Sequence, residues 1–277
     1  MRLTDETVRA FAAGLAAGER MPATIEKYAR EALQFSRWLA GREPDRALAR
    51  AYKRELAGTR SPAGVNGAVA ALNSLFSFLG LPECRMRSMK IQRRIFRDED
   101  RELSQTEYRR LLAAAKERRK ERLLLVMETI CSTGIRVGEL KFFTVEAVRR
   151  GRAEVTNKGK TRTVFLSGKL QKVLLRYASA QGTGAGPIFV TRSGRPLDRS
   201  NIWADMKKLC RAANVAETKV FPHNLRHLFA RTFYDLSKDI VRLADVLGHA
   251  SINTTRIYTM ETGAVHRRHL EKMRLVI

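Results

Sequence analysis

Residues Phe221–Tyr258 read FPHNLRHLFARTFYDLSKDIVRLADVLGHASINTTRIY, and their punctuation predicts three helices in succession. Pro222 suits the first turn of a helix, where a missing N–H costs nothing. His223 and Arg226 then stand at i and i+3, on one face, where they can converge on one anion. Leu225, Leu228, Phe229 and Phe233 turn toward a core. Asp239–Leu247 forms a second, shorter helix with Ile240, Leu243, Ala244 and Leu247 as its apolar stripe. Gly248 is its stop signal and His249 follows directly. Ser251 or Thr254 caps a third helix, whose early turns hold Tyr258.

Upstream, the capping box Ser104/Glu107 opens a helix running to about Glu117, and Arg122–Cys131 is a strongly apolar helix. In STGIRVGEL, Gly134 breaks that helix and Val137–Phe143 starts another, so Arg136 sits at a helix boundary beside free N–H groups. The period then changes. AEVT and TRTVFL are β-like runs joined by NKGK, which predicts a hairpin with Lys158 and Lys160 at its tip. GPIFVTRSGRPL can hold another short strand, and Ser200–Ala213 a helix. Toward the N-terminus, Thr4-Asp5, Thr24, Asp45 and Ser61-Pro62 mark the starts of four amphipathic helices. Cys84–Arg101, CRMRSMKIQRRIFRDEDR, is dense in positive charge, has little apolar periodicity and reads as a linker.

Over 277 residues, 53 Lys+Arg stand against 28 Asp+Glu, a surplus of 25 positive charges that favours a polyanionic partner. The hydrophobic fraction of 44% excludes a disordered chain. Cys84, Cys131 and Cys210 are scattered, with no zinc-ligand spacing, as expected of reduced thiols in the cytoplasm. No apolar run approaches a membrane span, and the N-terminal MRLTDETVRAFAAGLAAG does not have the build of a signal peptide.

The order and spacing of Arg136, Lys158, His223, Arg226, His249 and Tyr258, with LGHxSxxTTxxY intact, resemble the tyrosine recombinase (phage integrase) family, and the resemblance covers essentially the whole chain. It implies a mainly α (α+β) fold: a four-helix core-binding domain over 1–83, a basic linker over 84–101, and a mostly helical catalytic domain with a small antiparallel sheet over 102–277. It also implies a site-specific DNA recombinase working without metal, cofactor or ATP. Arg136, Arg226 and His249 would hold the scissile phosphate. His223 would take the proton from Tyr258, the nucleophile, and Lys158 would protonate the leaving 5′-oxygen. Glu139 matches a residue that supports the first arginine, or makes an ordinary salt bridge.

The expected partners are double-stranded recombination sites, three further copies of the chain in a synaptic tetramer on DNA, and an accessory directionality factor of the mobile element. NKGKTR is a residue shorter than the family's common GKGxKxR form, which leaves Lys160 as the alternative acid. Phe165 stands where proline is frequent, and Leu228 where a small polar residue is frequent. The other readings are a catalytically inactive DNA-binding protein of the same fold, a type IB topoisomerase-like enzyme, and, on composition alone, a ribosome-associated basic protein.

Overall fold

The structure is a computed structural model that describes residues 2–91, 99–157, 159–191, 193–260 and 263–273. The chain divides into two compact units, Met1–Arg93 and Arg94–Ile277. Both are mainly helical, and the second holds the small antiparallel sheet.

The first unit comprises α1 (Asp5–Ala17), α2 (Pro22–Leu39), α3 (Arg46–Thr59) and α4 (Pro62–Phe78). Thr4, Asp45 and Ser61 cap their helices through side-chain oxygens. Thr24 does not start α2. The helix begins two residues earlier at Pro22, whose fixed φ suits the first turn, and Met21 is the N-cap. Phe11, Phe35, Leu72, Leu75 and Phe76 are fully buried between the helices. On α3, Ala49, Tyr52 and Leu56 face that core, while Arg46, Arg50 and Arg54 recur every four residues on the exposed side.

The segment after α4 follows the first unit for several residues before any tether begins. Cys84 and Met86 are buried in its core. Asn73 on α4 accepts from Met86 N at 2.8 Å and donates to Met86 O at 2.8 Å. One turn pair earlier, Asn66 accepts from Met89 N at 2.7 Å and donates to Met89 O at 3.0 Å. Two asparagines on one helix face thus satisfy an extended backbone in the way a neighbouring strand would. The remainder of the expected linker, residues 92–98, lies outside the described residues.

In the second unit, α5 (Gln105–Glu117) starts at the Ser104/Glu107 capping box, and α6 (Glu121–Thr133) ends at Gly134. Val137–Phe142 is a 3₁₀ segment in place of the expected α-helix; there Glu139 turns back on its own N-terminus. After α7 (Val145–Arg149), β1 (Arg152–Asn157) pairs with β2 (Lys160–Phe165) in antiparallel register, Asn157 opposite Lys160. α8 (Gly168–Ala180) follows. GPIFVTRSGRPL forms isolated bridges, Thr144 to Pro187 and Val190 to Pro196, in place of a strand. The expected helix over 200–213 is two, α9 (Arg199–Lys207) and α10 (Cys210–Ala213).

The decisive stretch becomes α11 (Pro222–Ser237), α12 (Ile240–Leu247) and a short α13 (Ile252–Thr255) capped by Ser251, which runs into a 3₁₀ turn ending at Tyr258. Last comes α14 (Gly263–Met273). α11 packs along α6, burying Leu225 and Leu228 in the main core, with Phe229 and Phe233 joining Leu243, Leu247 and Tyr258 in a satellite cluster. Among the described residues, no helix is long and apolar enough to cross a membrane.

Candidate active site

Four separate breaks in regular structure supply the site: the end of α6, the β-hairpin, the first turn of α11, and the loop from α12 to Tyr258. Arg226 joins three of them. It lies on the buried face of α11 and is 1% exposed. One terminal nitrogen donates to Gly134 O at 2.6 Å, the other to Leu247 O at 2.8 Å. Both carbonyls lie at the C-terminal ends of helices, where the backbone lacks intrahelical donors and carries partial negative charge. The sequence therefore builds a socket for one guanidinium out of two helix ends. Burial, then the charge of Arg136, lowers the Arg226 pKa to about 10, still charged at neutral pH. Its Nε has no partner, alone among the buried side-chain nitrogen and oxygen atoms of the described residues.

Arg136 occupies the N-cap of the 3₁₀ segment. Its backbone N donates to Glu139 Oε2 at 2.8 Å and its guanidinium to Oε1 at 3.1 Å. Glu139 is buried and also receives both terminal nitrogens of Arg162, at 3.1 and 2.8 Å. Burial raises the Glu139 pKa, but the Arg162 hydrogen bonds, the Arg136 N–H and both positive charges outweigh it, and the net shift is downward. Against this one carboxylate stand Arg136, Arg162 and Arg226, so the local balance is positive.

His249 follows the left-handed Gly248, which ends α12. Its Nε2 lies 3.0 Å from a terminal nitrogen of Arg226, and its Nδ1 2.9 Å from Thr255 Oγ1. An arginine can only donate, so Nε2 accepts, and the proton sits on Nδ1, directed to Thr255. A neutral ring agrees with its pKa, lowered to about 4 by burial and by Arg226. His223 is more open to solvent, yet desolvation by the protein around it, then Arg226 and Arg136, lowers its pKa too. Tyr258 is 5% exposed, its ring among those of His227 and His249.

A cleft of about 520 Å³ is lined by Arg136, Lys160, Arg162, His249 and the turn around Gly248. The structure thus brings Arg136, Glu139, Arg226, His249 and Tyr258 together, with His223 beside them. Lys158 lies outside the described residues, whereas Lys160, the alternative, lines the cleft. Phe165 is 74% exposed and Leu228 is in the core. No group of three or more His, Cys, Asp or Glu side chains suited to a metal occurs among the described residues.

Two residues escaped the sequence reading. His227 stands four residues after His223, a helical neighbour that spacing alone places on the same face. Arg162 shares the inward side of β2 with buried Val164, while Thr161, Thr163 and Phe165 face outward, a period-two signal.

The phage integrase family model matches residues 101–264. The chain is 31% identical over 294 residues to tyrosine recombinase XerC of Erythrobacter litoralis (strain HTCC2594), the alignment spanning 100% of this chain and 91% of that one. It is 35% identical over 163 residues to tyrosine recombinase XerD of Xanthomonas axonopodis pv. citri (strain 306), a match spanning 53% of this chain and 52%, about half, of that relative. A lambda integrase tetramer bound to a Holliday junction has the same fold, with TM-score 0.74 at 19% identity over 91% of this chain and 76% of that one. The chain belongs to the phage integrase family.

Proposed function

We propose that this protein is a site-specific DNA recombinase that cuts and rejoins DNA through a 3′-phosphotyrosine, without ATP or metal. The unpartnered Nε of buried Arg226, in a cluster of net positive charge, carries this reading: a non-bridging phosphate oxygen would satisfy it. Tyr258 Oη attacks phosphorus and the bond to the 5′-oxygen breaks. His223 accepts the phenolic proton, and a lysine, Lys158 in this reading, delivers one to the leaving oxygen. Arg136 and Arg226 gain most as charge builds on the phosphoryl oxygens, so their contribution falls on the transition state. The phosphotyrosyl bond retains the energy of the broken linkage, and a 5′-hydroxyl of another strand reverses the step.

The surplus of 25 positive charges and the arginine stripe of α3 fit a chain that embraces duplex DNA with both units, the first as the core-binding domain. We place the protein in the cytoplasm, acting for a mobile element as a tetramer on paired sites with an accessory directionality factor. Leu270 and Met273 on α14 are more than half exposed, as a segment docking on a neighbouring copy would be. Truncation after His269 should then leave single-site binding intact and abolish tetramers on paired sites.

The test of the chemistry is a nicked duplex carrying the DNA that flanks the gene. The wild type should yield an SDS-stable protein–DNA adduct, unchanged by excess EDTA, and Tyr258→Phe should bind the duplex and give none. Binding without any adduct from the wild type would favour an inactive DNA-binding protein instead.

A further inference from the structure

Arg162 touches no proposed reacting group, yet it connects three elements of the site. From β2 it grips both oxygens of Glu139, at 3.1 and 2.8 Å, in the paired geometry that fixes direction as well as distance. Its Nε donates to Val246 O, in the last turn of α12, at 3.3 Å. Its aliphatic stem lies over Gly248, where an added Cβ would come within 2.7 Å of Arg162 Cδ. Glu139 in turn holds Arg136 by backbone and side chain. One side chain therefore ties together the hairpin, the Arg136 turn and the loop that presents His249.

We propose that Arg162 is a positioning residue of the cleavage reaction, which fixes Arg136 through the Glu139 carboxylate and holds the β-hairpin against the His249 loop. This rests on the recombinase reading above and assigns the site a part that touches no substrate. Without Arg162, burial is the leading influence on Glu139 and drives the carboxyl toward its neutral form. A neutral carboxyl no longer anchors the Arg136 guanidinium. The charged groups around Glu139 include Arg136 on its own turn, Arg162 on β2 and Arg226 on α11; Lys160, Asp245 and His249 line the adjoining cleft. With Arg162 gone, Arg136 and Arg226 persist and slow the protonation of Glu139 without preventing it.

The experiment measures single-turnover adduct formation on the nicked duplex between pH 5.5 and 8.5, for wild type, R162A, R162K and the double variant R162A/E139Q. Gel shift establishes that each binds the duplex, and circular dichroism that each folds. The ratio of wild-type to R162A rate should climb as pH falls, by about tenfold per unit once below the raised carboxyl pKa. R162K keeps a charge but loses the paired geometry, and its ratio should climb less. The double variant has no carboxyl to titrate, so its ratio should be flat where that of R162A climbs; a merely structural defect would leave both flat. If R162A fails to fold, R162K decides. A pH-independent ratio for the single variant, with the wild type active, overturns the role of Arg162. An inactive wild type overturns the recombinase reading itself.

Discussion

The ring of His227 meets that of Tyr258 edge-on, with centroids 4.9 Å apart and planes at 84°. His223 also meets His227, with centroids 4.6 Å apart and planes at 69°, so ring contacts lead from α11 to Tyr258. His249 stacks on Tyr258 at 6.1 Å and 17°. Edge-to-face pairs contribute roughly 0.5–1.5 kcal/mol beyond their buried area, enough to set the orientation of a phenol held between them.

His227→Ala should therefore lower the rate of adduct formation by about tenfold, on the scale of one such contact, while single-site binding changes little. His227→Phe preserves a ring edge at the same place and should retain most of the rate. Single-turnover trapping on the nicked duplex compares them. Equal rates for the Ala and Phe variants would show that the ring has no part in orienting Tyr258.

The same histidines predict an acid-sensitive fold. His227 and His249 both have pKa values lowered to about 4, with burial the leading cause, against 6.5 when free. Between those values the unfolded chain binds more protons than the folded one, so stability is complete above pH 6.5 and falls as pH drops toward 4. The loss is at most about 1.4 kcal/mol per unit per ring, less here because solvent reaches both. Thermal melts should show Tm lower at pH 5 than at pH 7, with a shallower slope for His227→Phe. A Tm that is level across that range would contradict the neutral, desolvated histidines.

Much of this architecture was legible because it follows local rules. The Ser104/Glu107 box, the Gly134 and Gly248 stops and the NKGK turn each declare themselves within a few residues. So do the positions of His223, Arg226, His249 and Tyr258, since motif spacing is a property of the chain. What spacing does not carry is partnership across the fold. Nothing near Arg226 announces that its acceptors are Gly134 O, 92 residues away, and Leu247 O. Arg162 looked like one cation among many because its carboxylate and carbonyl partners lie on other elements. The pinning of Met86 and Met89 by two asparagines was hidden for the same reason: a segment without its own periodicity was ordered by another helix.

Gly134 couples stability to the site. Its φ of +67° favours glycine, and an added Cβ would come within 2.3 Å of the Phe229 ring. Its carbonyl is also an acceptor for Arg226. Gly134→Ala should cost about 2–4 kcal/mol, from backbone strain and overpacking together. Gly168→Ala meets open space at the start of α8, and its effect should stay within about 0.5 kcal/mol. Urea denaturation of the pair tests the contrast; a Gly134→Ala midpoint equal to wild type would mean that Phe229 gives way freely.

In the proposed cleavage, the leaving 5′-oxygen needs a proton. Lys158 stands two positions before Lys160 in the sequence and lies outside the described residues, whereas Lys160 lines the cleft with Arg136 and His249. Cleft position alone does not make an acid, because a lysine there also serves as a fixed charge for the phosphate. The leaving group separates the two roles. A 5′-bridging phosphorothiolate departs as a thiolate and needs little protonation, so loss of the acid is repaired on that substrate while loss of a binding charge is not. Lys158→Ala should be much slower than wild type on ordinary DNA and close to wild type on the phosphorothiolate. Lys160→Ala should be slowed to a similar degree on both. Should the rescue fall to Lys160→Ala instead, the acid is the cleft-lining lysine at the start of β2, and the shortened turn has shifted the role by two residues along the hairpin.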